Sequence, residues 1–149
     1  MTATVFVDTN VLVYARDTSS EAEKQPLAEA WMRHLWQERS GRLSFQVLHE
    51  FYVTVTGKLD PGLEPAEARN EVRTLLAWQP ISMDRRVLEG AWSVQDRYQL
   101  AWWDSLIVAA ARAAGCRYLL TEDLQHGQIL EDLAILSPFE SSPDALQEE

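Results

Sequence analysis

The sequence lacks most of the features that mark the larger classes of protein. Its one cysteine, Cys116, has no partner for an internal disulfide, and no set of cysteines and histidines has zinc spacing. No run of ~18 apolar residues is present, which excludes a helix that spans a bilayer. The opening residues, Met1-Thr2-Ala3-Thr4-Val5, lack the basic stretch and long apolar segment of a secretory signal. These absences point to the cytoplasm. No serine or cysteine sits in a nucleophile motif, so a nucleophilic triad is not expected. Gly127 and the other glycines form no phosphate-binding loop.

Positive charge is scarce as well: 13 lysines and arginines against 23 acids give a net charge of −10. Binding to a nucleic-acid backbone usually leaves a basic footprint, so this balance demands an explanation. Part of it lies in residues 140–149, which carry four acids and no base and read as a solvated tail. The rest suggests carboxylates gathered to hold divalent cations, whose charge would offset theirs. A basic partner segment would be attracted to such a protein.

What is present fits one domain. The chain has 149 residues, 46% of them hydrophobic, enough for a substantial interior. Ala3 to Val7 reads as a short buried strand ending at Asp8. Asp17-Thr18-Ser19-Ser20 reads as a loop with helix-capping chemistry. Leu27, Ala30, Trp31, His34 and Leu35 recur at helical steps, with Pro26 near the start of that helix and Gly41 closing it. A strand is expected at Leu43 to Phe45. A helix to about Thr56 follows, with Val47, Leu48, Phe51 and Val55 on one face and Gly57 at its end. Asp60-Pro61-Gly62 is a turn. One further helix carries Ala68, Val72, Leu75 and Leu76, and the next carries Leu88, Ala91, Trp92, Gln95 and Tyr98. A last helix runs from about Asp104 to Ala114, with Gly115 as its cap. Arg117 to Thr121 is a strand, and Ala134 to Ser137 a weaker one. Strands alternating with helices imply a mostly parallel α/β sheet, whose ligands bind beyond the carboxyl ends of the strands.

Four acids fall near that edge. Asp8 and Asp123 follow strands, while Glu50 and Asp104 lie near helix starts, at successive separations of 42, 54 and 19 residues. Carboxylates crowded into one pocket repel each other unless metal or protons compensate. Hard cations such as Mg²⁺ prefer oxygen ligands. A metal held there can lower the pKa of a bound water and neutralise charge on a scissile phosphodiester. Asn10 is placed to bond a metal-bound water or a phosphate. Each residue also has a plainer role. Asp8 could cap a turn, Asp104 a helix N-terminus, and either Glu122 or Asp123 could be a solvated loop acid. Glu50 lies in an apolar stretch, where burial without a partner is costly.

The histidines His34, His49 and His126 suggest no site of their own. The six tryptophans invite base stacking, yet Trp31, Trp78 and Trp92 fit helix faces and are expected in the core or at a dimer surface. Trp102 and Trp103, directly before Asp104, could wall one side of the site, but packing is the favoured expectation.

Several stretches together resemble the PIN-domain family. Val5-Phe6-Val7-Asp8-Thr9-Asn10-Val11-Leu12-Val13-Tyr14 looks like its opening motif, and within the family it is most similar to VapC-type toxins of toxin–antitoxin pairs. Ser44-Phe45-Gln46-Val47-Leu48-His49-Glu50-Phe51 resembles the segment with the second acid, and Trp103-Asp104-Ser105-Leu106-Ile107-Val108-Ala109-Ala110-Ala111 the one with the third. Leu119-Leu120-Thr121-Glu122-Asp123-Leu124 resembles the one with the fourth, and Ser137-Pro138-Phe139 the usual ending.

The resemblance implies a PIN domain over residues 1–139, ahead of the acidic tail at 140–149. It implies a Rossmann-like three-layer sandwich, with a mostly parallel sheet and helices on both faces. It implies Mg²⁺ or Mn²⁺ held by Asp8, Asp104 and Asp123, with Glu50 completing the acidic site and Thr121 and Asn10 supporting it. It further implies RNA hydrolysis leaving a 5′-phosphate and a 3′-hydroxyl, a homodimer, and an antitoxin whose basic segment blocks the site. Two rivals differ in chemistry. A phosphatase of the haloacid-dehalogenase type also has an Asp after its first strand, but wants a second Asp where Asn10 stands. A non-catalytic module would use the acids only to dock a basic partner.

Overall fold

In the computed structural model, residues 3–17 and 21–146 are described. The expected capping loop therefore lies, beyond Asp17, outside the described residues. The chain runs β1 (Val5–Val7), α1 (Thr9–Arg16), α2 (Lys24–Glu38), β2 (Gly41–Arg42), α3 (Phe45–Gly57), α4 (Pro65–Leu75), α5 (Arg85–Tyr98), α6 (Trp102–Ala113), β3 (Tyr118–Leu120), β4 (Ile129–Leu130) and β5 (Leu133–Leu136). Short 3-10 turns lie at Leu76–Trp78 and Pro143–Ala145.

The five strands form one sheet in the order β2-β1-β3-β5-β4, parallel except where β4 meets β5. Val5, Phe6 and Val7 are all fully buried, as are Leu119 and Leu120. Successive strand side chains point to opposite faces. Both faces of the central strands are therefore covered, as in a three-layer α/β sandwich. The parallel register sets Val7 beside Leu120, and the Asp8 amide donates to the Leu120 carbonyl at 3.0 Å. The residues that leave β1 and β3 thus emerge side by side on one edge.

Several boundaries differ from the sequence expectation. Residues 9–16, to which sequence patterning assigns no element, form α1. The valine-rich stretch after Asp8 has strand-like composition, but Val11 and Leu12 are buried on a helix that starts with no intervening loop. Gly41 does not close α2; Arg39 does, with φ at 55°. Gly41 instead lies in β2 under Trp78, where a Cβ would stand 2.5 Å from the ring. The second strand is therefore Gly41–Arg42 rather than Leu43–Phe45, and Ser44 caps α3 by accepting from the Val47 amide at 3.3 Å. Gly57 is the last residue of α3, and Lys58 caps it. The expected buried face of α3, Val47, Leu48, Phe51 and Val55, is the observed one.

On α5 the buried stripe is Val87, Ala91 and Val94, while Leu88 and Trp92 are exposed. Both stripes have helical period. The smaller one faces the interior where α5 packs on α6, and a Cβ on Gly90 would make an ordinary contact with the Ala109 methyl at 3.6 Å. The acidic C-terminal segment begins against the fold, where the Trp31 indole donates to the Ser141 carbonyl at 3.0 Å. Among the described residues, no helix is long and apolar enough to cross a membrane.

Candidate active site

Asp8 ends β1 and starts α1, so one residue serves the sheet edge and a helix N-terminus. Its Oδ1 accepts from the Thr9 amide at 2.7 Å and its Oδ2 from the Thr121 hydroxyl at 2.8 Å. Thr121, fully buried at the end of β3, is saturated. It donates to Asp8 and accepts from the Asn10 amide at 3.4 Å and from the Asp123 backbone N–H at 3.1 Å. A hydroxyl has one donor and two lone pairs, and all three are used. Asn10 also accepts from the Glu122 N–H at 3.4 Å through its Oδ1. The structure therefore places Asn10 as a clamp on the loop after β3 that aims Asp123.

Two helices add the remaining acids. Glu50, exposed on α3, accepts from the Thr9 hydroxyl at 2.8 Å. Asp104 lies in the first turn of α6. All four acids, Asp8, Glu50, Asp104 and Asp123, line one open cleft of about 670 Å³, with Gln46, His49, Lys58 and Trp103 among the other lining residues. Glu122 does not line it. Its carboxylate takes hydrogen bonds from the Tyr14 hydroxyl at 2.7 Å and from Lys24. Burial pushes its pKa up, but those bonds outweigh burial and hold it below the usual range. Of the neighbouring pair, Asp123 faces the cleft.

The electrostatics follow from burial and crowding. Burial pushes the Asp8 carboxyl from 3.8 up to about 7, against the lowering bonds from Thr121 and Thr9, and the charges of Asp123 and Glu50 add to the rise. Asp104 is also raised, first by burial and then by Asp123. Asp123 thus repels acids on two different elements. Among the described residues, no three acid, histidine or cysteine side chains stand close enough together to cage an ion by themselves. Mg²⁺ usually keeps several waters and takes only one or two carboxylates. An oxygen-only donor set with unrelieved repulsion suits such a hydrated ion, which would lower the cost of keeping Asp8 ionised.

Sequence reasoning missed two features of this cleft. Trp103, expected to pack, is 63% exposed at its rim, whereas Trp102 packs against the core. The sequence reading gives Gln46 no role of its own; its place one helical turn before Glu50 is the available signal.

Among solved structures, a toxin–antitoxin complex from Klebsiella pneumoniae matches with a TM-score of 0.64 at 18% identity, over 91% of this chain and 98% of that one. FitAcB from Neisseria gonorrhoeae matches with a TM-score of 0.64 at 17% identity, over 92% and 99%. A sarcin–ricin-loop-cleaving VapC toxin from Mycobacterium tuberculosis matches with a TM-score of 0.59 at 19% identity, over 78% and 87%. No curated protein matches at the level of sequence. The family model of the PIN domain matches residues 5–131, most of the chain and including Asp8, Glu50, Asp104 and Asp123, and the chain belongs to the PIN-domain family.

Proposed function

We propose that this protein is a metal-dependent endoribonuclease, the VapC-type toxin of a type II toxin–antitoxin pair. One observation carries the reading: carboxylates from four distant segments line a single cleft, and burial and mutual repulsion raise two of them. PIN-domain nucleases generally use divalent metal ions. Neighbours in fold include a toxin–antitoxin complex and a toxin that cleaves the sarcin–ricin loop, which supports the toxin assignment.

Asp8, Asp104 and Asp123 would hold Mg²⁺ or Mn²⁺, in large part through its waters. When bound, such an ion would lower the pKa of a nearby water and offset phosphate charge. Thr121 and Asn10 keep Asp8 and Asp123 aimed at the cleft. Glu50, oriented by Thr9, accepts the proton of the attacking water. The water oxygen bonds to phosphorus, the P–O3′ bond breaks, and the departing 3′ oxygen takes a proton from solvent. A 3′-hydroxyl and a 5′-phosphate remain. The acidic cleft suits an antitoxin with a basic C-terminal segment, and the active unit is a homodimer.

The test is cleavage-site mapping on total RNA with Mg²⁺ or Mn²⁺. The parent cuts and leaves 5′-phosphates, while Asp8→Asn and Asp104→Asn do not cut and remain folded. Cleavage by either variant at the parent rate would falsify the ligand assignment. A parent that cuts no RNA with either ion would turn the cleft into a docking site for a basic partner.

A further inference from the structure

Among the described residues that line the cleft, Gln46 alone has buried side-chain polar atoms with no partner, and both Nε2 and Oε1 are in that state. Leaving a buried donor and acceptor unpaired is costly, and native proteins rarely keep such groups without a use. Gln46 precedes Glu50 by one turn of α3, on the same face. In the same cleft, Trp103 holds a largely exposed indole, next in sequence to Asp104. Two independent features, an orphan amide and an exposed ring, thus share the cleft with the acids.

The chemistry of the amide narrows what completes it. A phosphate offers only acceptors and would leave Oε1 unpaired. An arginine or lysine offers only donors and would leave Nε2 unpaired. The edge of a nucleobase presents a donor and an acceptor side by side. Single-stranded RNA is read by stacking bases on aromatic rings and bonding their edges.

We infer that Gln46 and Trp103 form a base-reading subsite next to the scissile phosphate, an inference that rests on the ribonuclease reading above. Trp103 stacks on one unpaired base whatever its identity, and the Gln46 side chain turns its buried amide into the cleft, bonds the edge of that base and sets which base is preferred. Neither residue takes part in the chemistry; both position the substrate.

The experiment uses the full chain and a pool of short single-stranded RNAs randomised at every position. Cleavage is read by sequencing the ends, with KM and kcat measured on the best substrate. The parent shows a base preference at one position beside the cut. Gln46→Leu flattens that preference. It also raises the thermal midpoint without RNA by roughly 3 °C, because the buried orphan amide is gone. Trp103→Ala raises KM for all sequences by roughly 5- to 150-fold, the range for loss of one stacked base. Trp103→Phe recovers most of it, and kcat changes little in either. If Gln46→Leu keeps the parent preference, or Trp103→Ala keeps the parent KM, the subsite is overturned while the ribonuclease reading stands. Retained preference would assign the amide to a side chain of a protein partner. A parent that neither binds nor cuts the pool refutes the ribonuclease reading, and this one with it.

Discussion

Replacing Thr121 by valine preserves shape and deletes one oxygen on which three hydrogen bonds meet. The three losses are unequal. The Asp123 amide and Asn10 are not fully buried and can turn to water. Asp8 is 6% exposed and cannot. A buried ionised group that loses its donor costs about 2–3 kcal/mol, and a neutral one about 1 kcal/mol. Because Asp8 is half-protonated near pH 7, the cost depends on pH. The expected loss for Thr121→Val is about 2–3 kcal/mol at pH 8 and about 1 kcal/mol at pH 5. Thr121→Ser keeps the oxygen and should lose only the methyl contribution, about 0.8 kcal/mol. Urea unfolding in EDTA at both pH values measures all three proteins. The reasoning fails if the valine variant matches the parent at pH 8, or if its loss does not shrink at pH 5.

Further predictions follow from the same geometry. The folded pKa of Asp8, about 7, exceeds its unfolded value near 3.8, so the folded state holds a proton that the unfolded state has released. That contribution to stability is full below pH 4 and is lost as pH rises to 7. It is worth roughly 4 kcal/mol. Subtracting the metal-free pH–stability curve of Asp8→Asn from that of the parent isolates it, and a flat difference would remove the buried charge from the account. Asp104→Asn should leave metal-free stability equal or higher and show a smaller Mn²⁺-induced rise in Tm than the parent. Equal rises would show that Asp104 is not a ligand. Asp123→Asn should lose RNA cleavage and Glu122→Gln retain it, since Tyr14 and Lys24 already occupy Glu122. The reverse outcome would exchange their roles. Gly41→Ala should cost about 1–3 kcal/mol, because its methyl would press on Trp78; an unchanged Tm would show that the ring moves freely.

Local rules read some of this molecule well. The α3 core face is legible because Val47, Leu48, Phe51 and Val55 leave one consistent side for burial. The same rules cannot choose between the Leu88–Trp92 and Val87–Ala91–Val94 stripes of α5, since both have helical spacing and only the tertiary packing of α5 decides which is buried. The two-residue strands β2 and β4 are too short to leave a period of their own. Trp103 looks like a packing residue by type, and its exposure is set by where α6 starts relative to the cleft.

By itself the sequence determined the kind of fold and that Asp8 and the Glu122–Asp123 pair lie beyond β1 and β3, because strand ends in a parallel sheet deliver their next residues to one edge. Only the tertiary structure decided that Asp123 rather than Glu122 faces the cleft, that Thr121 ties Asp8 to the loop bearing Asp123, and that Gln46 stands there unpaired. Those outcomes depend on which atoms of residues more than a hundred positions apart come within hydrogen-bonding distance. No local pattern carries that information.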